Sequence, residues 1–449
     1  MTNTPFPRLR DVLGADVEAL SVADLQRAVG NKLQESFDLE FKEALFLPTD
    51  AGKHELAEDV AAMANTRGGL VVLGIKDANG RAEALKPVPL SEVEDRRMRS
   101  VIADLVFPQP DWDVHQIANP ESAASGFYAL VIRPSALKPH GVFINRKNLR
   151  YPVRNQAGKR FLSEVEVSDA YRDRFRQAQE DVNRLQEVQD EGCLPLNPVN
   201  QVWATVALVP VLRGRMPISR AKVEQLRQKI WTGANNVYQS SWAVLTLNPA
   251  VEVTTGLQRL VLIQQRDADG KPIRAYAELR SDGSGFFGFE LTTDEKPELP
   301  GLRWISRASL VASVSGMLSY LVEHAVDNAG TYGDAVVMGT FLRPKHSDTR
   351  PYRLGLKPPD SLWPSSQPQV IPAQVPVSKH TISLDTFITE SRERLLACRA
   401  ILSDLFQAFG EPELGLISED GKLSRALWPS LEVGNVAKAL GLSSSDIGP

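Results

Sequence analysis

Residues 35–46 read ESFDLEFKEALF, and the centre of this stretch has the alternation of a β-strand. Leu39 and Phe41 alternate with Glu40 and Lys42, and successive side chains of a strand point to opposite faces. Leu39 and Phe41 should therefore face a hydrophobic core, while Glu40 and Lys42 should share a charged face. The stretch predicts a strand that has one apolar and one charged side.

Helices and strands alternate along the residues that follow this strand. KHELAEDVAAMANT (53–66) carries apolar residues at helical spacing, and LVVLGIKD (70–77) is an apolar strand that follows Gly68 and Gly69. The alternation continues through a helix, two strands and a long charged helix, at 91–106, 127–134, 148–154 and 163–191. Such alternation is typical of an α/β (or α+β) fold with a mixed sheet.

The chain divides into five predicted segments. Residues 351–376 hold seven prolines, which favours an extended linker or a wrapping arm. A second set of strands and helices precedes these prolines, and a helical pattern with a polar end follows them. The segments are an N-terminal helical arm (1–30), an α/β domain (31–192), a second α/β domain of unknown role (198–348), a Pro-rich linker (349–384) and a C-terminal helical tail (385–449).

The composition is that of an ordinary globular protein. Of 449 residues, 43% are hydrophobic and 24% are charged, and 51 basic against 55 acidic side chains leave a net charge of −4. These proportions exclude a disordered or collagen-like chain, and the two cysteines exclude a disulfide framework or a four-cysteine zinc site. No run approaches the roughly 18–20 apolar residues that span a bilayer, and the start lacks a signal-peptide core. We expect a soluble, cytoplasmic protein without membrane contact.

Three carboxylates are expected to converge at one end of the sheet. Glu40 lies on the charged face of the first strand, Glu35 lies just before that strand, and Asp77 ends the apolar strand 70–77. Two unit charges about 4 Å apart repel by about 4 kcal/mol at an effective dielectric near 20. Such a cluster is stable when it is protonated, hydrated or bridged by a cation, and oxygen ligands select Mg²⁺ or Mn²⁺. With Lys42 beside Glu40, the group could activate water and stabilise charge on a phosphodiester.

A plainer interpretation of this strand is a solvated face. A Glu-x-Lys pair on an exposed strand usually forms a weak ion pair with no catalytic role. The spacing of Glu40 and Lys42 fits both interpretations and does not decide between them.

The stretch from Ser122 to Ser163 contains no Asp or Glu, although acids slightly outnumber bases in the whole chain. Its interleaved aromatic residues Phe143 and Tyr151 could stack on nucleobases. We favour a nucleic-acid contact, and the alternative is a solubilising face or a basic contact for the acidic helix that follows. The predicted contact residues are Arg133, Lys138, Arg146, Lys147, Arg150, Arg154, Lys159 and Arg160.

Other chemistries lack their motifs. Ala51-Gly52-Lys53 is not part of an eight-residue phosphate loop that ends in Lys-Ser/Thr. The six histidines have no metal-ligand spacing, and no Gly-x-Ser-x-Gly nucleophile motif occurs. The sequence therefore disfavours a phosphate-loop nucleotide site and acyl transfer.

Three strings together resemble the Schlafen-type AlbA-like domain, a family once catalogued as a divergent ATPase domain. They are ESFDLEFK (35–42), AAMANTRGGLVVLGIKDANG (61–80) and YPVRNQAGKRFLSEVEV (151–167), and the resemblance covers about a third of the chain. It implies a Schlafen AlbA-like mixed-sheet domain, followed here by the second α/β domain and the Pro-rich C-terminal extension.

The resemblance also implies a chemistry. In the eukaryotic relatives this domain cleaves tRNA or other RNA with three carboxylates and a divalent metal, and the matching residues are Glu35, Glu40 and Asp77. Lys76 stands where many relatives carry a second acid. Only one lobe bears the motifs, so a homodimer or residues 198–345 would have to complete the groove that binds the substrate.

Three functions remain open from the sequence. The first is a Mg²⁺- or Mn²⁺-dependent endoribonuclease that acts on tRNA-like RNA in a defence or toxin-like role, with Glu35, Glu40, Asp77 and Lys42 as catalytic residues. The second is a DNA- or RNA-binding transcriptional regulator or interaction protein without catalysis. The third is ATP binding, which only the older family label suggests. RNA is favoured over DNA as the partner.

Overall fold

The computed structural model of the chain forms two compact units, Met1–Gln179 and Glu180–Pro449. It describes residues 6–144, 147–156, 158–196, 202–237, 251–265, 273–291, 293–295, 302–342, 353–356, 376–425, 428 and 432–448. Helices and strands alternate in both units, so the predicted α/β fold class is confirmed.

The first unit combines five helices with twelve strands in the part of it that the structure describes. Its helices are α1 (Pro7–Leu13), α2 (Val22–Gly30), α3 (Asp50–Ala64), α4 (Glu92–Leu105) and the beginning of α5 (Glu164–Cys193). Its strands are β1 (Leu39–Lys42), β2 (Gly69–Leu73), β3 (Ile75–Ala78), β4 (Arg81–Leu85), β5 (Val88–Pro89), β6 (Val106–Phe107), β7 (Trp112–Asn119), β8 (Ser122–Ile132), β9 (Gly141–Ile144), β10 (Asn148–Arg150), β11 (Pro152–Asn155) and β12 (Gly158–Phe161).

The central sheet of this unit has the strand order β1-β2-β8-β5, with β7 also paired to β8. β1 runs parallel to β2, with Glu40 opposite Val71, and β2 runs antiparallel to β8. β1, which carries Glu40, and β2, the first part of the predicted strand 70–77, are therefore direct neighbours in one sheet, whereas Asp77 lies on β3 in a separate hairpin.

The two faces of this sheet bury different hydrophobic sets. Leu39 and Phe41 pack with Leu9 and Leu25 of the N-terminal helices, as the alternation of β1 predicts. Val71 belongs to the opposite cluster, which α3 and α4 cover. The residues predicted as an N-terminal arm thus form one layer of the unit, because the apolar side chains of α1 and α2 need the sheet to bury them.

The charged face of β1 lies beneath α3 rather than in solvent. Glu40 is only 9% exposed. Lys42 Nζ lies 2.8 Å from Glu55 Oε1 and 3.5 Å from Asp59 Oδ2 on α3. The alternative of a solvated strand face is therefore wrong for this pair, since a helix that carries acids covers it.

The predicted apolar strand divides at Gly74, where φ is +99°. A Cβ at Gly74 would lie 2.7 Å from the side chain of Phe127, so glycine is required by both space and backbone. Beyond the break, β3 pairs with β4 in a hairpin whose tight turn holds Asn79 and Gly80, as the sequence predicts. Asp77 lies beside that turn.

Two smaller sheets complete the first unit. One has the order β10-β9-β6, and the other is the hairpin of β11 and β12. In the hairpin Arg154 pairs with Lys159, so these two side chains share a face. α3 packs against β9 and β11, which brings both small sheets to the side of the unit that holds the charged face of β1.

The second unit is built on a seven-stranded sheet of order β14-β15-β16-β17-β13-β20-β22. Its helices are the end of α5, α6 (Arg220–Val237), α7 (Arg307–Glu323), α8 (Leu384–Thr389), α9 (Ser391–Gln407) and α10 (Glu432–Ala439). Its strands are β13 (Val202–Pro210), β14 (Glu252–Gly256), β15 (Arg259–Gln265), β16 (Ile273–Arg280), β17 (Gly285–Leu291), β18 (Thr293–Glu295), β19 (Leu302–Ile305), β20 (Asp334–Leu342), β21 (Arg353–Leu356), β22 (Val377–Ser383), β23 (Leu423–Ser424) and β24 (Ile447–Gly448).

The C-terminal helices belong to the core of the second unit. Leu395, Ile401 and Leu405 of α9 are fully buried in one cluster with Val337 and Phe341 of β20. These residues therefore form a layer of the unit and not a separate tail. Most of the predicted Pro-rich linker, residues 349–384, lies outside the described residues, and its described parts include β21 and β22.

The second unit contains a long apolar helical segment, Arg307–Asn328. In the part of the chain that the structure describes, Arg307–Asn328 is long and apolar enough to cross a membrane. However, 67% of its most apolar window is buried inside the protein, as in the core helix of a soluble protein.

Candidate carboxylate site and nucleic-acid interface

Glu35 lies between β1 and the hairpin of β3 and β4. Its backbone N–H donates to the carbonyl of Gly80 at 2.8 Å, and its Oε1 accepts from the Phe41 N–H at 2.9 Å. Asp77 Oδ2 accepts from the Gly80 N–H at 3.3 Å. Gly80 is therefore bonded to both Glu35 and Asp77, which links the start of β1 to the hairpin turn.

The three predicted carboxylates interact electrostatically. Burial raises the pKa of Glu35, and the negative charges of Glu40 and Asp77 raise it further, against the opposing effects of the Phe41 amide and Arg154. Glu35 is therefore the carboxyl on which the charges of the other two act.

Glu40 is held between two cations. Its Oε1 lies 2.9 Å from Lys42 Nζ, and its Oε2 accepts from a guanidinium nitrogen of Arg154. Another nitrogen of Arg154 donates to the carbonyl of Ser36 at 3.1 Å. The Arg154 side chain is 2% exposed. Arg154, predicted as a nucleic-acid contact, is therefore placed as a buried counterion of Glu40.

The Asn65-Thr66 pair after α3 explains how Arg154 reaches Glu40. The Asn65 side chain donates to the carbonyls of His140 and Pro152 at 2.9 and 2.8 Å and accepts from the His140 N–H. Thr66 Oγ1 accepts from the Arg154 N–H at 3.0 Å. The end of α3 thus fixes β11, the strand that carries Arg154, over the charged face of β1.

Three acids of α3 extend the charge network outward. Glu55, Glu58 and Asp59 have the i, i+3, i+4 spacing of one helix face. Asp59 Oδ1 lies 2.7 Å from Lys159 Nζ, and Lys159 also lies 3.4 Å from Glu58. Lys42 joins Glu55, Asp59 and Glu40. These acids are not among the predicted site residues, although their spacing within residues 53–66 is a sequence signal for a charged helix face.

The charge states of this network follow from burial and pairing. Burial raises the pKa of Asp59, which is 1% exposed, and Glu40 adds to the rise, while Lys159 and Lys42 oppose it. Burial acts to lower the pKa of Lys42, but the carboxylates of Asp59 and Glu40 outweigh burial and raise it. Lys42 is thus held firmly in its charged form between β1 and α3.

The donor set does not fit a divalent metal ion at Glu40. Both of its carboxylate oxygens already face cations, and a metal would have to lie beside Lys42 and Arg154. Within the described residues, no group of three or more His, Cys, Asp or Glu side chains is placed to hold a metal ion. Lys76, the departure from the family pattern, pairs with Glu83 at 2.6 Å.

Two of the predicted cations are engaged with acids on the surface of the unit. Arg133 lies 2.7 Å from Glu18 and 3.0 Å from Asp111. Arg160 pairs with Glu166 at 2.8 Å. These pairs reduce the positive charge that the acid-free stretch of sequence predicts, because their partners come from outside that stretch.

Other predicted cations face outward. Lys138 and Lys147 are exposed, and Arg150, 51% exposed, lies 3.8 Å from Glu58. Arg146 lies outside the described residues. The two aromatic residues predicted to stack on bases contact other rings instead: Phe143 packs against Phe107 and Tyr151 against Tyr171, with ring centroids 5.7 and 6.3 Å apart.

The fold and site of the first unit define a mixed α/β domain with a buried carboxylate–cation network. Residues 35–163 match the family model described as Schlafen, AlbA_2, so the chain contains a Schlafen AlbA_2 domain. Membership of these residues in that family indicates nucleic-acid binding.

Comparison with other proteins adds little to this assignment. No curated protein matches the chain. Among solved structures, the chain is similar to the DIP2311 protein from Corynebacterium diphtheriae, at 19% identity and a TM-score of 0.22. That similarity covers 36% of this chain and 32% of the other, so the chain spans about a third of that protein's length.

Proposed function

We propose that the Schlafen AlbA_2 domain binds RNA through the outward-facing cations of residues 138–160, and that its buried carboxylate network is structural. The observation that carries this proposal is the position of Lys138, Lys147 and Arg150, which remain exposed on a domain whose family indicates nucleic-acid binding. An exposed lysine or arginine can bind a phosphate at the protein surface, whereas a buried one could do so only if the phosphate lost its hydration.

The buried network supports binding without cleavage. Glu40 is neutralised by Lys42 and Arg154, and Asp59 by Lys42 and Lys159. Charges that are paired and buried in this way hold β1, α3 and the hairpin of β11 and β12 together, and breaking one partner leaves an uncompensated charge. The network fixes the surface that carries Arg150.

Binding to a labelled RNA hairpin, measured by fluorescence anisotropy over a range of salt concentrations, tests the proposal. We expect the logarithm of the association constant to fall with the logarithm of salt concentration, with a slope of about −0.7 to −0.9 per phosphate contacted. The double variant Lys147→Glu, Arg150→Glu should lose most of this binding and reduce the slope. Arg96→Glu, an exposed charge reversal on α4, is the matched control.

Two outcomes would contradict the proposal. One is affinity that does not change with salt, and the other is equal loss of affinity in the double variant and in Arg96→Glu. A DNA hairpin of the same sequence, measured alongside, tests the preference for RNA. Light scattering of the free protein and of the complex tests whether a homodimer forms.

A second candidate is the metal-dependent endoribonuclease. The observation that favours it is that Gly80 bonds both Glu35 and Asp77, while the negative charges of Glu40 and Asp77 help to raise the pKa of Glu35. This function requires Glu40 to leave its two cations. Incubation of tRNA with the protein and Mn²⁺ should then give cleavage that Asp77→Asn abolishes, and Asp77 is exposed, so this change leaves the core intact. Equal cleavage by the variant would exclude this site.

ATP binding has less in its favour. The Gly52 amide within Ala51-Gly52-Lys53 donates to Thr49 Oγ1 at 3.3 Å, and these residues form the first turn of α3. The amide that a phosphate would use is therefore taken by a helix cap.

A further inference from the structure

Phe161 is an aromatic residue that is exposed on the surface of the first unit. It ends β12, whose four residues are all exposed, and its own side chain is 44% exposed. The guanidinium of Arg150 lies 5.4 Å from the centroid of the Phe161 ring. The two side chains thus form a cation–π pair that is open to solvent on a domain with a well-buried core.

This pair lies at the outer end of the buried charge network. Lys159 and Phe161 are two residues apart on β12, so they share a face of the hairpin. Lys159 contacts Asp59 and Glu58 on α3, and Arg150 lies 3.8 Å from Glu58. The network that starts at Glu40 therefore leads, contact by contact, to the pair of Arg150 and Phe161.

We propose that Arg150 and Phe161 bind one unpaired nucleobase and its phosphate in single-stranded RNA. This inference rests on the proposed function and names the form of RNA that the domain would take. An aromatic ring can stack on the flat face of any base, and a guanidinium can stack on a base or bind a phosphate. Bases inside a duplex are already stacked on one another and cannot reach such a ring.

The exposed cations Lys147 and Arg150 favour an anionic nucleic acid over an apolar peptide as the occupant. The chain from Ser122 to Ser163 contributes no acid, and Lys147 is exposed three residues before Arg150. Glu58 lies 3.8 Å from Arg150, and this contact is longer than the 2.7 Å contact between Lys159 and Asp59. Arg150 can therefore exchange Glu58 for a phosphate at small cost.

The test compares two phenylalanines of the same unit. Phe161→Leu keeps apolar bulk and removes the aromatic face, and Phe175→Leu is the matched control at a ring that is 69% exposed on α5. The full-length protein is titrated against a fluorescein-labelled 12-nucleotide oligouridine, the same length of duplex RNA, and an oligonucleotide of abasic sites. The melting temperatures of the wild type and of each variant are measured in the same buffers.

We expect Phe161→Leu to weaken oligouridine binding about 5- to 150-fold, the range for loss of one stacked base. Phe175→Leu should bind as the wild type does, and Phe161→Trp should restore affinity. The wild type and Phe161→Leu should not differ in their affinity for duplex RNA or for the abasic oligonucleotide. Equal affinity of Phe161→Leu and Phe175→Leu for oligouridine would overturn this inference while the proposed function stands. A wild-type protein that binds none of the three probes would overturn both.

Discussion

Each unit of the molecule buries a glutamate against an arginine, and the two pairs are built differently. In the second unit, Glu278 and Arg280 lie two residues apart on β16, 2.8 Å from each other, and Tyr276 donates to Glu278 at 2.8 Å. In the first unit, Glu40 and Arg154 are 114 residues apart in the sequence and lie on the different strands β1 and β11.

The difference concerns what surrounds each pair. Glu278 accepts from Tyr276, Arg280 and Arg259, so one carboxylate satisfies three donors from two adjacent strands. Glu40 instead has further carboxylates beside it, and its network continues through α3 to an exposed cation. The pair in the second unit stabilises two adjacent strands of one sheet. The pair in the first unit joins segments that are distant in the chain and lie around a candidate site.

The largest expected effect is in the second unit. Glu278→Ala leaves Arg280, which is 6% exposed, without its buried carboxylate partner and with the half-exposed Glu191 beside it, and loss of one partner of a buried pair costs about 3–5 kcal/mol. Urea denaturation should show this loss. Glu191→Ala removes a half-exposed acid from the same arginine and should cost less than about 1 kcal/mol. Equal losses in the two variants would show that burial does not control this cluster.

The second prediction concerns pH and the same unit. Burial lowers the pKa of His324 to about 4, against the acceptor carbonyl of Arg280 at 3.0 Å. In the unfolded chain the imidazole of His324 binds a proton when the pH is below its usual pKa of about 6.5, whereas in the folded protein it stays neutral down to about pH 4. The free energy of unfolding should therefore fall by about 3 kcal/mol as the pH drops from 6.5 to 4. His324→Gln should flatten this part of the stability curve. A wild-type curve that is flat in this window would contradict the burial argument.

The third prediction returns to the first unit. Glu40→Gln keeps the shape of the side chain but removes the charge that Arg154 and Lys42 face, so we expect a loss of about 1–3 kcal/mol in urea denaturation. Arg154→Met should cost a similar amount, and the double variant should lose less than the sum of the two. Additive losses would mean that the two side chains do not act as a pair.

The sequence predicted the strands better than it predicted the environment of their charged residues. The alternation around Leu39 and Phe41 placed β1 correctly, and apolar periodicity located α3. The position of Arg154 against Glu40 could not be predicted, because local spacing does not encode a contact between residues so far apart in the chain. It depends on the hydrogen bonds of Asn65 and Thr66 at the end of α3.

The acid-free stretch from Ser122 to Ser163 also shows that local sequence does not encode contacts between distant residues. Its lack of acids suggested a continuous cationic surface, but the acids that pair with it come from elsewhere, as Glu18 does with Arg133. The sequence does not distinguish Phe161 from Phe143 and Tyr151 as a stacking residue, since only the structure shows which rings contact other rings and which face solvent. Charge counts along a chain therefore overestimate the free charge of a folded surface.

The smallest expected change in stability is that of Glu35→Gln, and its sign tells whether repulsion among the three carboxylates destabilises the folded protein. Because burial and the charges of Glu40 and Asp77 raise the pKa of Glu35, the folded protein binds a proton at Glu35 more tightly than the unfolded chain does. The stability from this preference is present below the unfolded pKa and is lost as the pH rises through the raised folded pKa. Glu35→Gln should therefore stabilise the protein at neutral pH by at most about 1 kcal/mol after solvent screening, and remove this pH dependence. Thermal denaturation at several pH values measures both effects. A Glu35→Gln variant less stable than wild type at neutral pH would mean that the Phe41 amide bond outweighs the repulsion, and that the three carboxylates form a relaxed structural cluster.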